Sequence, residues 1–126
     1  MKKLLIYIVL LSTIMYADCS DPKNDFDGVY CSTKVYLRSD GVLNDLYDEL
    51  NRLLTEEEKE ILKESQHAWM DRRNDRCSIN TSQGFFINME CATATTRNRT
   101  RFFMARIDEC KSSKGCNRDN LAKILD

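Results

Sequence analysis

Histidine and proline are almost absent from this chain, which has one of each beside four glycines and one tryptophan. With a single histidine and no C-x-x-C spacing, a zinc site would lack its usual ligands, so we expect no metal and no cofactor. His67 also lacks a recognisable nucleophile and orienting group, so no catalytic residue is assigned and we expect a non-enzymatic protein. The scarcity of proline and glycine, together with the lack of strand-like alternation, favours an all-helical domain.

An excess of positive charge is also missing. The chain has 19 Lys and Arg against 20 Asp and Glu, and removal of Lys2 and Lys3 would leave 17 basic side chains. Nucleic acid is therefore not an expected partner, because binding to phosphates depends on a basic surface that displaces counterions. Acidic residues group at Asp45, Asp48, Glu49 and Glu56 to Glu58. This group suits a basic protein partner, but a solvated helix face has the same composition.

The chain has one long apolar run, at its N terminus. Residues 1–17, MKKLLIYIVLLSTIMYA, place two lysines before an apolar stretch that ends at a small residue, the pattern of a secretory signal peptide. The run is shorter than the roughly 20 apolar residues of a membrane anchor. We expect a periplasmic or secreted bacterial protein with no integral membrane segment after cleavage. A lipoprotein acylated at Cys19 is the weaker alternative, because Tyr16 and Asp18 stand where small and aliphatic residues are needed.

The remaining length suits one domain, divided into a helical domain at 18–109 and a C-terminal loop with a short helix at 110–126. All six cysteines lie in this part of the chain, at Cys19, Cys31, Cys77, Cys91, Cys110 and Cys116. An even number in a small exported chain predicts three disulfides. Local pairing of positions 19 with 31 and 77 with 91 is favoured because each bond closes a segment without its own core. The crossed set, 31 with 77 and 19 with 91, stays open.

Apolar spacing predicts three long helices and a short one. The first spans Val29 to Leu54, the second follows a capping box of Thr55 and Glu58 and ends near Cys77, the third runs from about Met89 to Asp108, and the last follows Asn117. Short connections make neighbouring helices antiparallel. The predicted fold is therefore all-α: a disulfide-stapled antiparallel three-helix bundle with a short C-terminal helix, in which the uncharged segment 78–88 is a connection.

The antiparallel register brings polar side chains of the three helices together. Asp40, Trp69 and Arg99 come to one level, and a buried carboxylate needs a partner such as a two-point fork from Arg73 or Arg99. We expect a structural network that fixes the register, formed by Asp40, Asn44, Tyr47, Gln66, Trp69, Arg73, Thr96 and Arg99. The alternative is an open ligand pocket lined by Asp40, Arg73 and Arg99.

The uncharged segment provides the candidate binding residues. Phe85 and Phe86 are adjacent, and aromatic side chains on loops anchor interfaces. Gln83 in the same segment and Tyr30 near the same end of the bundle complete the predicted binding set. The alternative is that both phenylalanines plug the end of the bundle.

Three spaced motifs carry a resemblance to a known family. They are Asp40-x-x-Leu43-Asn44-x-x-Tyr47, then Gln66-x-x-Trp69-x-x-x-Arg73-x-x-x-Cys77, and then Cys91 followed by Thr96, Arg99 and Phe103. Together they resemble the LprI-type domain of small exported bacterial proteins, over roughly Cys19 to Ile107. The chain departs from the family pattern where Gly84 stands for a Gly-Gly pair and Phe103 for a leucine, and the tail with the last two cysteines lies outside it.

The resemblance implies an α-helical, disulfide-bonded periplasmic domain, in a family named for a lysozyme inhibitor. We therefore expect a non-enzymatic protein-binding domain that blocks the cleft of a lysozyme or a related peptidoglycan-degrading glycosidase. A structural or adaptor module of the cell envelope is the alternative.

Overall fold

The computed structural model of the chain describes residues 19–124, so the predicted signal peptide lies outside the described residues. The elements in chain order are α1 (Asp25–Asn51), α2 (Glu56–Cys77), β1 (Ser78–Thr81), β2 (Gly84–Ile87), α3 (Met89–Lys111) and α4 (Arg118–Leu121). The protein is thus mostly helical, with the three long helices and the short helix that the apolar spacing predicts. In the described part of the chain, no helix is long and apolar enough to cross a membrane.

Each helix begins at a polar side chain that satisfies a free backbone N–H. The predicted capping box is confirmed: the hydroxyl of Thr55 accepts from the N–H of Glu58, and the Glu58 carboxylate accepts from the N–H of Thr55. Asparagine side chains do the same work at Asn24, Asn88 and Asn117. The caps at Thr55 and Asn117 agree with the sequence prediction, whereas α1 spans Asp25–Asn51 and so begins and ends a few residues before the predicted Val29 to Leu54.

The purely helical prediction is wrong for the segment after α2. Instead of an irregular connection, β1 and β2 form an antiparallel hairpin in which Ile79 lies opposite Phe86. The turn has only two residues, Ser82 and Gln83, and the following Gly84 has φ +138, a conformation that side chains disfavour. Strands of four residues are too short to show alternation in the sequence, although their β-branched and aromatic residues favour an extended backbone.

The three disulfides are Cys19–Cys31, Cys77–Cys91 and Cys110–Cys116. This is the local pairing, and the crossed set does not form. Because the sulfur of Cys19 is bonded to Cys31, it is not free for acylation, which argues against the lipoprotein alternative. The second bond joins the end of α2 to the start of α3, so it closes the base of the hairpin. Closure of a loop of this size contributes roughly 3 kcal/mol to stability.

The apolar core is built from all three long helices and the tail. Its fully enclosed members include Leu43 and Leu50 of α1, Leu62 of α2 and Phe103 of α3. Tyr47 is half-buried, and its ring centre lies 5.7 Å from that of Phe103. These positions recur at three- and four-residue spacing along each helix, as an amphipathic helix requires.

The C-terminal tail packs into the same core. Leu121 of α4 is completely buried among the core side chains. Asn120 donates to the carboxylate of Glu109 at 2.7 Å, and Arg118 pairs with Glu57 of α2 at 2.9 Å. The disulfide between residues 110 and 116 reverses the chain so that the tail returns to the helices. The tail is therefore part of the folded unit.

We expect Leu121→Ala to lower the free energy of unfolding by about 2–5 kcal/mol, because it leaves a cavity in the core. The matched control is Ile124→Ala, which truncates a side chain in the same tail that is 37% exposed. Equilibrium denaturation of the oxidised protein measures both. Equal effects of the two substitutions would contradict the packing of the tail.

Candidate functional site

A buried arginine lies at the centre of the polar groups between the helices. Arg99 of α3 is fully enclosed, and three of its nitrogens donate hydrogen bonds. Its Nε donates to Gln66 Oε1 at 3.0 Å, its Nη2 to Ser65 Oγ at 3.1 Å, and its Nη1 to the carbonyl oxygen of Lys123 at 2.9 Å. One guanidinium thus joins α2, α3 and the tail.

Aromatic rings surround the same guanidinium. Its central carbon lies 4.1 Å from the ring centre of Phe102, 5.1 Å from that of Phe103 and 5.8 Å from that of Trp69. The faces of these rings carry negative partial charge and attract the cation. Trp69 is also buried, and its Nε1 has no hydrogen-bond partner among the described residues.

Burial lowers the pKa of the Arg99 guanidinium to about 10, because the charged form loses hydration. The group nevertheless stays charged at neutral pH. No carboxylate pairs with it in the described part of the chain, so three neutral acceptors and three rings compensate the charge. Such a charge is costly to bury and costly to leave without acceptors.

The predicted network is present as two groups rather than one. Asp40 is 3.8 Å from Arg73 Nη1 and accepts from Asn44 Nδ2 at 3.3 Å, and all three side chains reach solvent. The predicted two-point fork is wrong, because Arg73 makes one long contact with Asp40 and directs its Nε and Nη2 to Asn74 Oδ1. Arg99 does not approach Asp40. The Arg73 guanidinium, 5.0 Å from the ring centre of Trp69, lies between the two groups.

Asp40, Arg73 and Arg99 do not line a common open ligand pocket. Arg99 is sealed inside the protein, as is Thr96, whose hydroxyl has no partner among the described residues. Sequence reasoning missed three participants: Ser65, Phe102 and the carbonyl of Lys123. Two of them could have been predicted, because residues three or four apart share a helix face. Ser65 lies four residues before Trp69, and Phe102 lies three residues after Arg99. Nothing in the sequence marks a backbone carbonyl.

His67 is exposed on α2, and the described residues contain no group of three His, Cys, Asp or Glu side chains that could hold a metal ion. The central polar groups therefore have a geometry suited to holding helices together.

In contrast to the buried polar groups around Arg99, the hairpin exposes large apolar side chains to solvent. Phe85 is 61% exposed and Phe86 55%, and Ile79 and Ile87 are also more than half exposed. The phenylalanines do not plug the end of the bundle. Ile79 and Phe86 lie directly opposite each other and share one face of the hairpin, whereas Phe85 and Ile87 lie on the other face.

The second face borders a groove. Phe85 and Ile87 form one wall of a groove of about 460 Å³, and the side of α1 that carries Tyr36 and Leu37 forms the other. Arg73 is also at its surface. The groove therefore brings apolar side chains of β2 and α1 together, beside the partly buried guanidinium of Arg73.

The other predicted binding residues lie around this region without joining the groove. Gln83 is exposed in the hairpin turn, where its N–H donates to Thr81 Oγ1 at 3.2 Å. Tyr30 is half-buried on α1, and the ammonium of Lys34 lies 5.2 Å from its ring centre.

The acidic residues lie at the end of the molecule opposite to the hairpin. Glu49 pairs with Lys111 at 2.8 Å and Glu57 with Arg118 at 2.9 Å. The hydrogen bond from Lys111 and its positive charge lower the pKa of the Glu49 carboxyl. α2 has 22 residues, so this end is roughly 30 Å from the hairpin. The two surfaces are therefore separate.

The fold and the site define a small, disulfide-bonded helical protein with a closed polar centre and an apolar hairpin open to solvent. The family model of the lysozyme inhibitor LprI matches residues 17–103, and the chain belongs to that family. The resemblance read from the three motifs is confirmed. Comparison with curated proteins found no match, and neither did comparison with solved structures. The tail that accepts a hydrogen bond from Arg99 lies outside the family match.

We expect Trp69→Ala to destabilise the protein by about 3–5 kcal/mol, which is a large share of the stability of a small domain. The matched control is Met70→Ala, which changes the neighbouring side chain on the exposed side of α2. Thermal unfolding followed by circular dichroism measures both. A Trp69 variant as stable as the wild type would refute the structural role of the tryptophan.

Arg99→Lys tests whether the three hydrogen bonds of the buried guanidinium are needed for stability. Lysine keeps the charge but does not reach three acceptors with the fixed geometry of a guanidinium, so we expect a loss of about 2–4 kcal/mol. Arg97→Lys is the control, because Arg97 is exposed on the same helix. Denaturant unfolding compares the variants, and an unchanged midpoint for Arg99→Lys would contradict the assigned role.

Proposed function

We propose that this protein is an exported, non-enzymatic binder of a lysozyme or a related peptidoglycan-degrading glycosidase. It blocks the cleft of the enzyme with the hairpin, and the contact is made by Phe85 and Phe86 with Gln83 and Tyr30 beside them. Membership of the LprI family supports the class of target. The observation that carries the contact site is the exposure of four large apolar side chains on an uncharged hairpin.

The hairpin has the physical properties of a protein-binding surface. Exposed apolar side chains that cluster on one element are unusual in a small monomer, and their burial by a partner is favourable by about 25 cal/mol per Å². The Cys77–Cys91 disulfide at its base limits the freedom that the hairpin loses on binding. A short two-stranded projection also has a shape that enters a concave cleft.

The helices would act as the support of this surface. We infer an antiparallel three-helix bundle, in which α1 and α3 run in one direction and α2 in the other. The pairing of Glu49 with Lys111 at one end of α1 and α3, and the bonds of Arg99 to Ser65 and Gln66 of α2, support this arrangement. The closed centre and the exposed His67 support a protein that acts by occlusion and not by chemistry.

Export is part of the same proposal. The lysine-led apolar segment at residues 1–17 is typical of a signal peptide, and three disulfides suit an oxidising compartment. A periplasmic or secreted location would place the protein where wall-degrading enzymes act.

Protection of cell-wall substrate tests the proposal. We expect the purified, oxidised domain to slow lysis by at least one lysozyme in a dose-dependent way, and Phe85→Ala and Phe86→Ala each to weaken this effect by about tenfold or more. Met104→Ala is the control, because Met104 is 52% exposed on α3 and outside the hairpin.

Lysis is measured as the loss of turbidity of a wall suspension with a panel of lysozymes. The absence of protection at high molar excess would favour the alternative, a structural module of the cell envelope. Protection that survives both phenylalanine substitutions would leave inhibition in place but refute the hairpin as its site.

A further inference from the structure

The free edge of strand β2 carries backbone N–H and carbonyl groups that form no hydrogen bond within the described part of the chain. The N–H of Asn88 donates to the carbonyl oxygen of Cys77 at 2.8 Å, so this pair is hydrogen-bonded. Bonded and non-bonded pairs alternate along an antiparallel ladder, which makes Ile79 and Phe86 the next bonded pair. The N–H and carbonyl groups of Phe85 and Ile87 therefore point away from β1.

Edge strands in proteins usually carry a device that prevents pairing with another chain, such as a lysine, a proline or a bulge. Residues 78–89 contain no charged residue and no proline, and the strands pair one to one from Ser78 with Ile87 to Thr81 with Gly84, without a bulge. Instead, β2 presents Phe85, Phe86 and Ile87 in succession, and each of them is more than half exposed. The edge is thus open in its backbone and apolar in its side chains.

We propose that this edge pairs with the same edge of a second copy of the chain, to form a four-stranded antiparallel sheet across a two-fold axis. In this register Phe86 lies opposite Phe86 of the second copy, and Phe85 lies opposite Ile87. The outward groups of Phe85 and Ile87 then form two reciprocal pairs of backbone hydrogen bonds. The pairing satisfies the rule that a two-fold interface is made by one patch that is complementary to itself.

The lack of charge suits a second copy, and the available area indicates how tightly that copy binds. Because residues 78–89 are uncharged, two copies bring no like charges together along the paired strands. The three apolar side chains of β2 each expose roughly 100 Å², so two copies can bury at most about 600 Å² of side chain besides the backbone edge. This area is below the roughly 1,200 Å² of a stable interface, so the dimer is weak and reversible.

The dimer also has a consequence for the contact surface, and this part rests on the proposed function. A two-fold axis perpendicular to the sheet keeps Ile79 and Phe86 of both copies on the same face. Four apolar side chains then form one continuous surface, whereas a single hairpin presents two. Dimerisation would therefore strengthen binding to a target surface that covers the whole sheet, and it would compete with entry of a single hairpin into a narrow cleft.

Sedimentation equilibrium of the purified, oxidised protein between roughly 10 μM and 1 mM tests the pairing. We expect the average mass to rise toward twice that of the monomer as the concentration increases. Phe86→Lys and Phe86→Glu place like charges opposite each other in the dimer, so each variant alone remains a monomer. An equimolar mixture of the two restores the dimer, because opposite charges then face each other.

Two further variants separate edge pairing from a general apolar contact. Ile87→Pro removes an outward N–H of β2, and Asn80→Pro removes an outward N–H on the other edge of the hairpin. Neither removes a bond within the hairpin, so circular dichroism should show both to be folded. We expect Ile87→Pro to abolish the dimer and Asn80→Pro to keep it.

A wild-type protein that is monomeric over the whole range would overturn the proposal, and so would a Phe86→Lys or Ile87→Pro variant that dimerises normally. If the edge amides of a monomeric protein became protected only when a lysozyme was added, the edge would take a strand of the target instead of a second copy. Mass and lysis are separate readouts, so a dimer without inhibition would refute the proposed function and leave the pairing intact.

Discussion

The way in which α2, α3 and the tail meet depends on the groups that compensate the buried charge of Arg99. A guanidinium without a carboxylate partner is stable inside a protein only if other groups replace the water that it loses. Here Ser65 and Gln66 of α2, the carbonyl of Lys123 in the tail, and three aromatic rings take that place. Each group must keep its position for the others to be useful, so one side chain fixes how two helices and the tail meet.

The polar centre around Arg99 and the hairpin differ in how they are held: the centre joins the helices, and the hairpin projects from them. Arg99, Trp69 and Thr96 are turned inward and enclosed, whereas the hairpin is attached near its base by the Cys77–Cys91 bond, the N–H of Asn88 and the hydroxyl of Ser78. Its side chains contribute little to the core. The proposed binding surface could therefore change in sequence without unfolding the helices, which is a general advantage of placing function on loops.

The helices were predictable from the sequence because their signals are local: caps at Thr55 and Asn117, and apolar positions at three- and four-residue spacing. The hairpin was not, since its strands are too short to show a period, and its turn depends on the conformation of Gly84. The partners of Arg99 were predicted in part. Gln66 belongs to the predicted network, but the register gives Arg99 the level of Asp40, which it does not contact. An assumed antiparallel register predicts the level of a residue better than the direction of its side chain.

Amide hydrogen exchange of the oxidised protein, with and without a saturating lysozyme that it inhibits, tests the central claim most directly. The account predicts that added protection is concentrated in residues 78–88, while the amides around Arg99 and Trp69 are already protected in the free protein and change little. Protection concentrated at the acidic end, around Asp45 to Glu58, with an unchanged hairpin would contradict it.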